Sequence, residues 1–598
     1  MKRFLTVILI GFALVGCASK AKIQQEAQAF LDAYTAEYKA LAYAADKADW
    51  KSNTMIIEGD TTNAYATRKA KEALAAFTGS SANIEAAQEF LGRRNKLTPL
   101  QVRQLEKILY MAANNPQTVP DLVEARIKAE TEQTEKLYGF DFKINGASIS
   151  TNDIDQILKT ETQLPRRLEA WRASKEVGAS LKDGLVNLQR LRNETVRALG
   201  YNDYCSYQVS DYGMETQELL DLMLQLNREL RPLYREIHTY ARYELAKRYG
   251  VEEVPDMLPA HWLPNRWGQD WTSMITVEGF DLDGALQDKT AKWLLEQAER
   301  FYISLGFPEL PGTFWEWSSL YPLPPDAGYK KNNHASAWHL DLDKDVRCLM
   351  SVVPSSEWYE TTHHELGHIY YYMSYSNPDV PILLRQGANR AFHEAIGSLL
   401  GLASMQKPFI AHLGLLPTEA QAHELQSLLK EALNYVVFIP WSAGVMTEFE
   451  YELYAKELPR DQFNKRWWEL KSKYQGIVPP SPRGEEHCDP ASKTHITDDP
   501  AQYYDYALSY VILFQLHDHI ARNILRQDPH ATNYYGDKEL GKFLRDLLYP
   551  GGTRDWRELL RETTGEDLSA NAMLRYFEPL MAYLKKANEG RKHTLPDV

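Results

Sequence analysis

His364-Glu365-Leu366-Gly367-His368 sets two imidazoles four residues apart with a carboxylate beside the first. On a helix, positions i and i+4 share a face, so both rings can reach one Zn²⁺ while Glu365 leans over the metal-bound water as a general base. That is the arrangement of a zinc peptidase, and the stretch predicts a helix. So short a motif also arises by chance, and the third ligand decides between the two. Glu394 stands 26 residues beyond His368, in Asn389-Arg-Ala-Phe-His-Glu-Ala-Ile-Gly-Ser-Leu-Leu. This stretch reads as a second helix opening at Asn389 as N-cap, with Phe392, Ile396, Leu399 and Ala403 at helical spacing. A carboxylate in so apolar a helix is costly to bury unless it is paired or metal-bound. Pro378 and Pro381 break the chain between the two helices and let the second fold back beside the first. His364, His368 and Glu394 are therefore the expected ligands of one zinc ion per chain. His363 and His393 point roughly 100° away from the ligands around their helices and are read as structural or supporting histidines.

Working outward, the 598 residues carry a net charge of −14 with no Lys/Arg-rich run, which argues against nucleic acid as a partner. The chain has no Pro/Gly/Ser linker, low-complexity stretch or internal repeat, so one large body with two lobes is expected. At the N-terminus, Lys2 and Arg3 precede an apolar run, Phe4 to Leu14, that is too short to span a bilayer. Leu14-Val15-Gly16-Cys17 resembles a bacterial lipobox. That resemblance implies a signal peptide over 1–16, lipidation at Cys17, and an anchor and short linker over 17–21. Ala18 stands where an Asp would retain the protein at the inner membrane. The expectation is an exported protein anchored in the outer membrane and facing the periplasm. Cys205, Cys348 and Cys488 remain, an odd number for an oxidising compartment and without metal-ligand spacing, and are read as small buried residues.

Helical patterning dominates. Residues 22 to about 110 are dense in it, with Phe30, Tyr34, Tyr38, Leu41 and Ala45 at helical spacing, and further amphipathic stretches cover 157–200, 215–248, 284–306, 419–435 and 501–526. The clearest strand signal is Asn333 to Leu340 followed, after Asp341-Leu-Asp-Lys-Asp, by Val346 to Val353. It predicts a hairpin just before the zinc helix, where an edge strand can pair with an extended peptide.

His334-Ala-Ser-Ala-Trp338, His363-His-Glu-Leu-Gly-His-Ile369, Arg385-Gln-Gly-Ala-Asn389, Phe392-His-Glu-Ala-Ile-Gly397, Trp467-Trp468, Lys473-Tyr-Gln-Gly476 and Phe514-Gln-Leu-His517 together resemble the angiotensin-converting enzyme (peptidyl-dipeptidase A) family, over about residues 22–588. The resemblance implies a mostly α fold, a large helical ellipsoid split by a deep cleft. It further implies an HExxH gluzincin core with a small β-hairpin, and a single peptidase domain over 22–598 of two helical subdomains with N-terminal lid helices over about 22–110. It implies a zinc peptidyl-dipeptidase that releases C-terminal dipeptides from short peptides. By position, Glu365 matches the family's general base, His495 and Tyr506 its stabilisers of the tetrahedral intermediate, and Gln269, Lys493 and Tyr503 its pocket for the substrate's terminal carboxylate. His334 and Ala335 match hairpin positions that bind substrate backbone.

The departures are also informative. Ser398 replaces an Asp that orients a zinc-binding His, offering a hydrogen bond without charge. Asn333 occupies the position that pairs with Cys348 in animal members, so that disulfide is absent. Two residues are inserted between His368 and Glu394, and one between His495 and Tyr503. Many members are activated by chloride at two anion sites. Arg172, Trp467 and Lys471 match the first, with Lys471 in place of an Arg and therefore a weaker anion contact. At the second, Tyr212 is kept but Asp505 replaces the key Arg, which predicts independence from chloride. Two other readings stand beside this one: an oligoendopeptidase or carboxypeptidase on the same scaffold, and a catalytically silent peptide-binding lipoprotein.

Overall fold

The computed structural model describes residues 19–57, 59–278, 281–416 and 423–598. The signal peptide expected over 1–16 and the lipidation expected at Cys17 lie outside the described residues. Ser19 caps helix α1 (Lys20–Thr54) by accepting a hydrogen bond from the Lys22 N–H. Helices α2 (Thr62–Thr78), α3 (Ser81–Leu91) and α4 (Pro99–Ala113) follow, the last opened by a Thr98–Gln101 capping box. Ile23, Ala27, Leu31 and Tyr34 lie at near-helical spacing along α1. They meet Ala87, Leu105 and Ile108 in a small core of their own, separate from the main one. Trp50, near the end of α1, packs edge-on to Trp338 with centroids 5.5 Å apart and ties these helices to the hairpin.

The remaining helices share one continuous apolar core. The stretch read as helical over 157–200 is three helices, α5 (Thr151–Thr160), α6 (Leu164–Ala173) and α7 (Glu176–Arg197). Pro165 starts the second, as a residue without an N–H does best in the first turn. By contrast α8 (Thr216–Arg248) is unbroken and runs through Pro232. The stretch over 284–306 becomes α9 only from Ala291 (Ala291–Leu305), where the Thr290 side chain caps it. The hairpin is shorter than its apolar pattern: β1 (Ser336–His339) pairs antiparallel with β2 (Val346–Leu349), in the register Ser336↔Leu349 to His339↔Val346. Among the described residues no ladder exceeds two strands, so the fold is mostly α, as expected.

Four helices then build the site: α10 (Ser356–Tyr375), α11 (Arg390–Ser404), α12 (Glu424–Ile439) and α13 (Tyr504–His519). Asn389 caps α11 as predicted, its side chain accepting from the Phe392 N–H at 2.6 Å. Helices α10 and α11 cross at two glycines. A Cβ on Gly367 would sit 2.9 Å from Gly397 Cα, closer than side chains pack, so the pair lets the two backbones touch. Cys205, Cys348 and Cys488 are buried and unpaired.

Candidate active site

The close helix crossing sets the site's geometry. His364 and His368, one turn apart on α10, bring their Nε2 atoms to 3.1 Å from each other. Glu394 Oε2, from α11, lies 3.8 Å from the first and 3.9 Å from the second. Two ligands about 2.0–2.1 Å from one tetrahedral ion stand about 3.3 Å apart, so two imidazoles and a carboxylate so placed fit Zn²⁺ in both spacing and chemistry. Burial pulls both imidazoles down to about 4, which keeps them neutral with a lone pair to offer. Gly397 has a second role here, since a Cβ on it would come within 3.0 Å of both rings.

The Ser398 side chain, expected to orient a ligand, makes no hydrogen bond among the described residues. The orienting contact comes from His393, whose Nδ1 lies 2.6 Å from His368 Nδ1. The His393 ring stacks on Tyr371 at 4.6 Å, and its Nε2 is buried without a partner. The helical-wheel reading gave His393 no target, because the target is on the neighbouring helix. His363 is structural, its Nδ1 lying 2.8 Å from the Tyr359 carbonyl within the same helix.

Glu365 is only 6% exposed. Burial, and then the charge of Glu394, push its carboxyl up to about 8. It lines a cavity of about 440 Å³ together with His364, His334 and Ala335. His495 Nε2 and the Tyr506 hydroxyl are 3.4 Å apart. Burial, and then Lys493, hold the His495 imidazole down at about 3, while burial raises Tyr506 to about 12, so both present neutral groups. The three residues read as a carboxylate pocket do converge across the sequence: Gln269 Oε1 accepts from Lys493 Nζ at 3.1 Å and from the Tyr503 hydroxyl at 3.3 Å. Lys493 is buried over the Trp267 ring at 4.4 Å.

The expected first anion site needs correction. Lys471 and Trp467 are buried together with Nζ 6.0 Å from the ring, but Arg172 is exposed. The cation beside Lys471 is Lys175, 5.2 Å over Trp267 and pulled to about 7 by burial. Helix α6 ends at Ala173, and the turn after it sends Lys175 inward. At the second site Asp505 is buried and accepts from the Tyr212 hydroxyl. Arg390, which the sequence reading passed over, lies with Nε 3.3 Å from Asp505 and forks onto Asp499 at 2.9 and 2.7 Å.

The sequence matches the angiotensin-converting enzyme family model over residues 21–595. It is 29% identical to the angiotensin-converting enzyme of Theromyzon tessulatum, over 96% of this chain and 94% of that one. Identity to the enzyme of Mesocricetus auratus is 29% over 95% of this chain, and to that of Oryctolagus cuniculus 32% over 75%. The chain spans only 43% and 35% of those two relatives. With two neutral histidines and a glutamate within ligand range of one another and a family match along nearly its whole length, the chain belongs to the angiotensin-converting enzyme family of metallopeptidases.

Proposed function

We propose that the chain is a zinc-dependent peptidyl-dipeptidase that removes C-terminal dipeptides from oligopeptides. The observation that carries this reading is the Gln269–Lys493–Tyr503 cluster, whose Tyr503 ring lies 4.9 Å from both His495 and Tyr506. A cation and two neutral polar groups suit a carboxylate, and a chain end fixed there sets the distance to the scissile bond. Zinc on His364, His368 and Glu394 would supply Lewis-acid chemistry, lowering the pKa of water to about 7 and polarising a carbonyl. Glu365 takes the proton of the attacking water and returns it to the leaving amine. Tyr506 and neutral His495 donate to the developing oxyanion. His334 and Ala335 offer hairpin backbone to the extended substrate.

Mass spectrometry of an octapeptide digest, with and without chelator, tests the reading. Dipeptides should appear from the C-terminus and the amidated peptide should be cut about 10- to 100-fold more slowly, since a charge-assisted contact is worth about 1.5–3 kcal/mol. Glu365→Gln should retain zinc and lose turnover. Equal rates on both peptides would establish an endopeptidase, single residues a carboxypeptidase, and intact peptide with metal-loaded protein a binding protein.

The sequence also supports a lipid anchor at Cys17 on the periplasmic side of the outer membrane. Among the described residues no helix is long and apolar enough to cross a membrane. Because α1 begins at Lys20, such an anchor would hold the N-terminal helices at the membrane surface. Cys17→Ser should then move the protein to the soluble fraction, and a variant still on the membrane would refute the anchor.

A further inference from the structure

The cavity beside His364 and Glu365 contains a carboxylate that the proposed chemistry does not use. Glu360 lies one turn before His364 on α10, so the two side chains share a face and Glu360 opens into the same space. Opposite, Ser398 and Gly401 on α11 are small, and a Cβ on Gly401 would stand 3.6 Å from Glu360 Cγ. Asn434 and Tyr435 from α12 and Tyr510 from α13 complete the wall. Among the described residues nothing hydrogen-bonds to the Glu360 carboxylate or forms an ion pair with it. No Lys or Arg lines the cavity, and Glu357 adds a second carboxylate.

The place of the cavity follows from its aromatic wall. Tyr510 packs on Phe438 at 5.2 Å, and Phe438 stacks on Tyr503 at 5.9 Å. Tyr503 belongs to the cluster with Gln269 and Lys493, so the cavity's wall continues through Tyr510 and Phe438 to that cluster, and His364 joins it to the metal ligands. A terminal carboxylate resting on Lys493 would bring the last side chain of a bound peptide to this wall. We propose that the cavity receives the side chain of the substrate's C-terminal residue and that Glu360 selects a basic one, lysine or arginine. The inference rests on the dipeptide-releasing reading above.

Burial disfavours the ionised Glu360 and raises its carboxyl above the usual range, with Lys430 opposing. Lys430 is itself exposed and beyond ion-pair distance. An ammonium or guanidinium entering with the substrate supplies the missing partner, and a desolvated charge pair discriminates strongly against an apolar replacement.

The test uses N-terminally blocked tripeptides that differ only in the last residue: lysine, norleucine or glutamate. Norleucine keeps the lysine stem and removes its charge. The wild-type kcat/KM for release of the dipeptide should favour lysine over norleucine by about tenfold, equivalent to about 1.4 kcal/mol. Glu360→Gln should bring that ratio to near one, and Glu360→Lys should favour the glutamate substrate. A wild-type ratio near one, or an unchanged ratio in Glu360→Gln, overturns the assignment of Glu360 while dipeptide release stands. Absence of dipeptides from all three substrates overturns the underlying reading, and this inference with it.

Discussion

A His368 that offers Nε2 to a metal carries its proton on Nδ1, and 2.6 Å away His393 Nδ1 must accept it. That acceptor fixes the tautomer and the ring plane of the ligand, the part more often played by a carboxylate or a carbonyl. His393→Leu should weaken zinc binding about 10- to 100-fold in competition with a chelator, and His393→Gln, which restores an acceptor, should recover much of it. Equal zinc affinity in the leucine variant would remove His393 from the site. Arg390 works at the same scale. It pairs with Asp505 and forks onto Asp499, so a fixed ion network fills the region where the family resemblance implies an anion. We expect kcat/KM to stay flat as chloride replaces acetate at constant ionic strength. Strong activation by millimolar chloride would show that the network does not stand in for the ion.

The α10–α11 crossing is the element on which the metal site depends. Gly367 and Gly397 allow the two backbones to touch, and Gly397 leaves room for both imidazoles. The His368 ring, buried and held by His393, has little room to give way. Gly397→Ala should therefore leave helix content by far-UV circular dichroism near wild type while lowering zinc affinity at least about tenfold, as displaced ligands do. Unchanged zinc stoichiometry and affinity would mean the helices can separate by the few tenths of an ångström required. The glycines are plain in the sequence, but their partnership is not, because helical periodicity specifies a face and not what lies against it.

For the whole molecule, Glu450 is an acid that burial has made a liability. It is 1% exposed, takes the Ala501 N–H on Oε1 at 2.7 Å, and leaves Oε2 buried without a partner. Burial pushes its carboxyl from 4.5 up to about 8. The folded state thus holds this proton more tightly than the unfolded chain. Its contribution to stability is complete below the unfolded value and is lost as pH rises from there towards about 8. The melting temperature of wild type should therefore fall between pH 5 and 8 more steeply than that of Glu450→Gln, read by calorimetry at each pH. Parallel curves would mean that Glu450 is ionised throughout.

The sequence by itself determined the helical class, the hairpin, the cap at Asn389 and the ligand trio. All but Glu394, which stands 26 residues beyond His368, are encoded locally, through i, i+4 spacing, capping chemistry and β-branched alternation. The resemblance then brought together Gln269, Lys493, Tyr503, His495 and Tyr506, which no local pattern joins. Only the tertiary structure decided which charges meet. Lys175, and not Arg172, faces Lys471, because the chain turns after Ala173. Arg390 reaches Asp505 from another helix, and His393 finds His368 across the glycine crossing. The physical reason is common to Arg390 and His393, whereas Lys175 and Lys471 carry like charge and Lys471 is satisfied by the Trp267 carbonyl at 2.8 Å and Gln475 Oε1 at 2.6 Å. A buried charge or ring nitrogen must be satisfied by whatever group packing places within about 3 Å, and that neighbour is set by helix crossings between segments far apart in the chain.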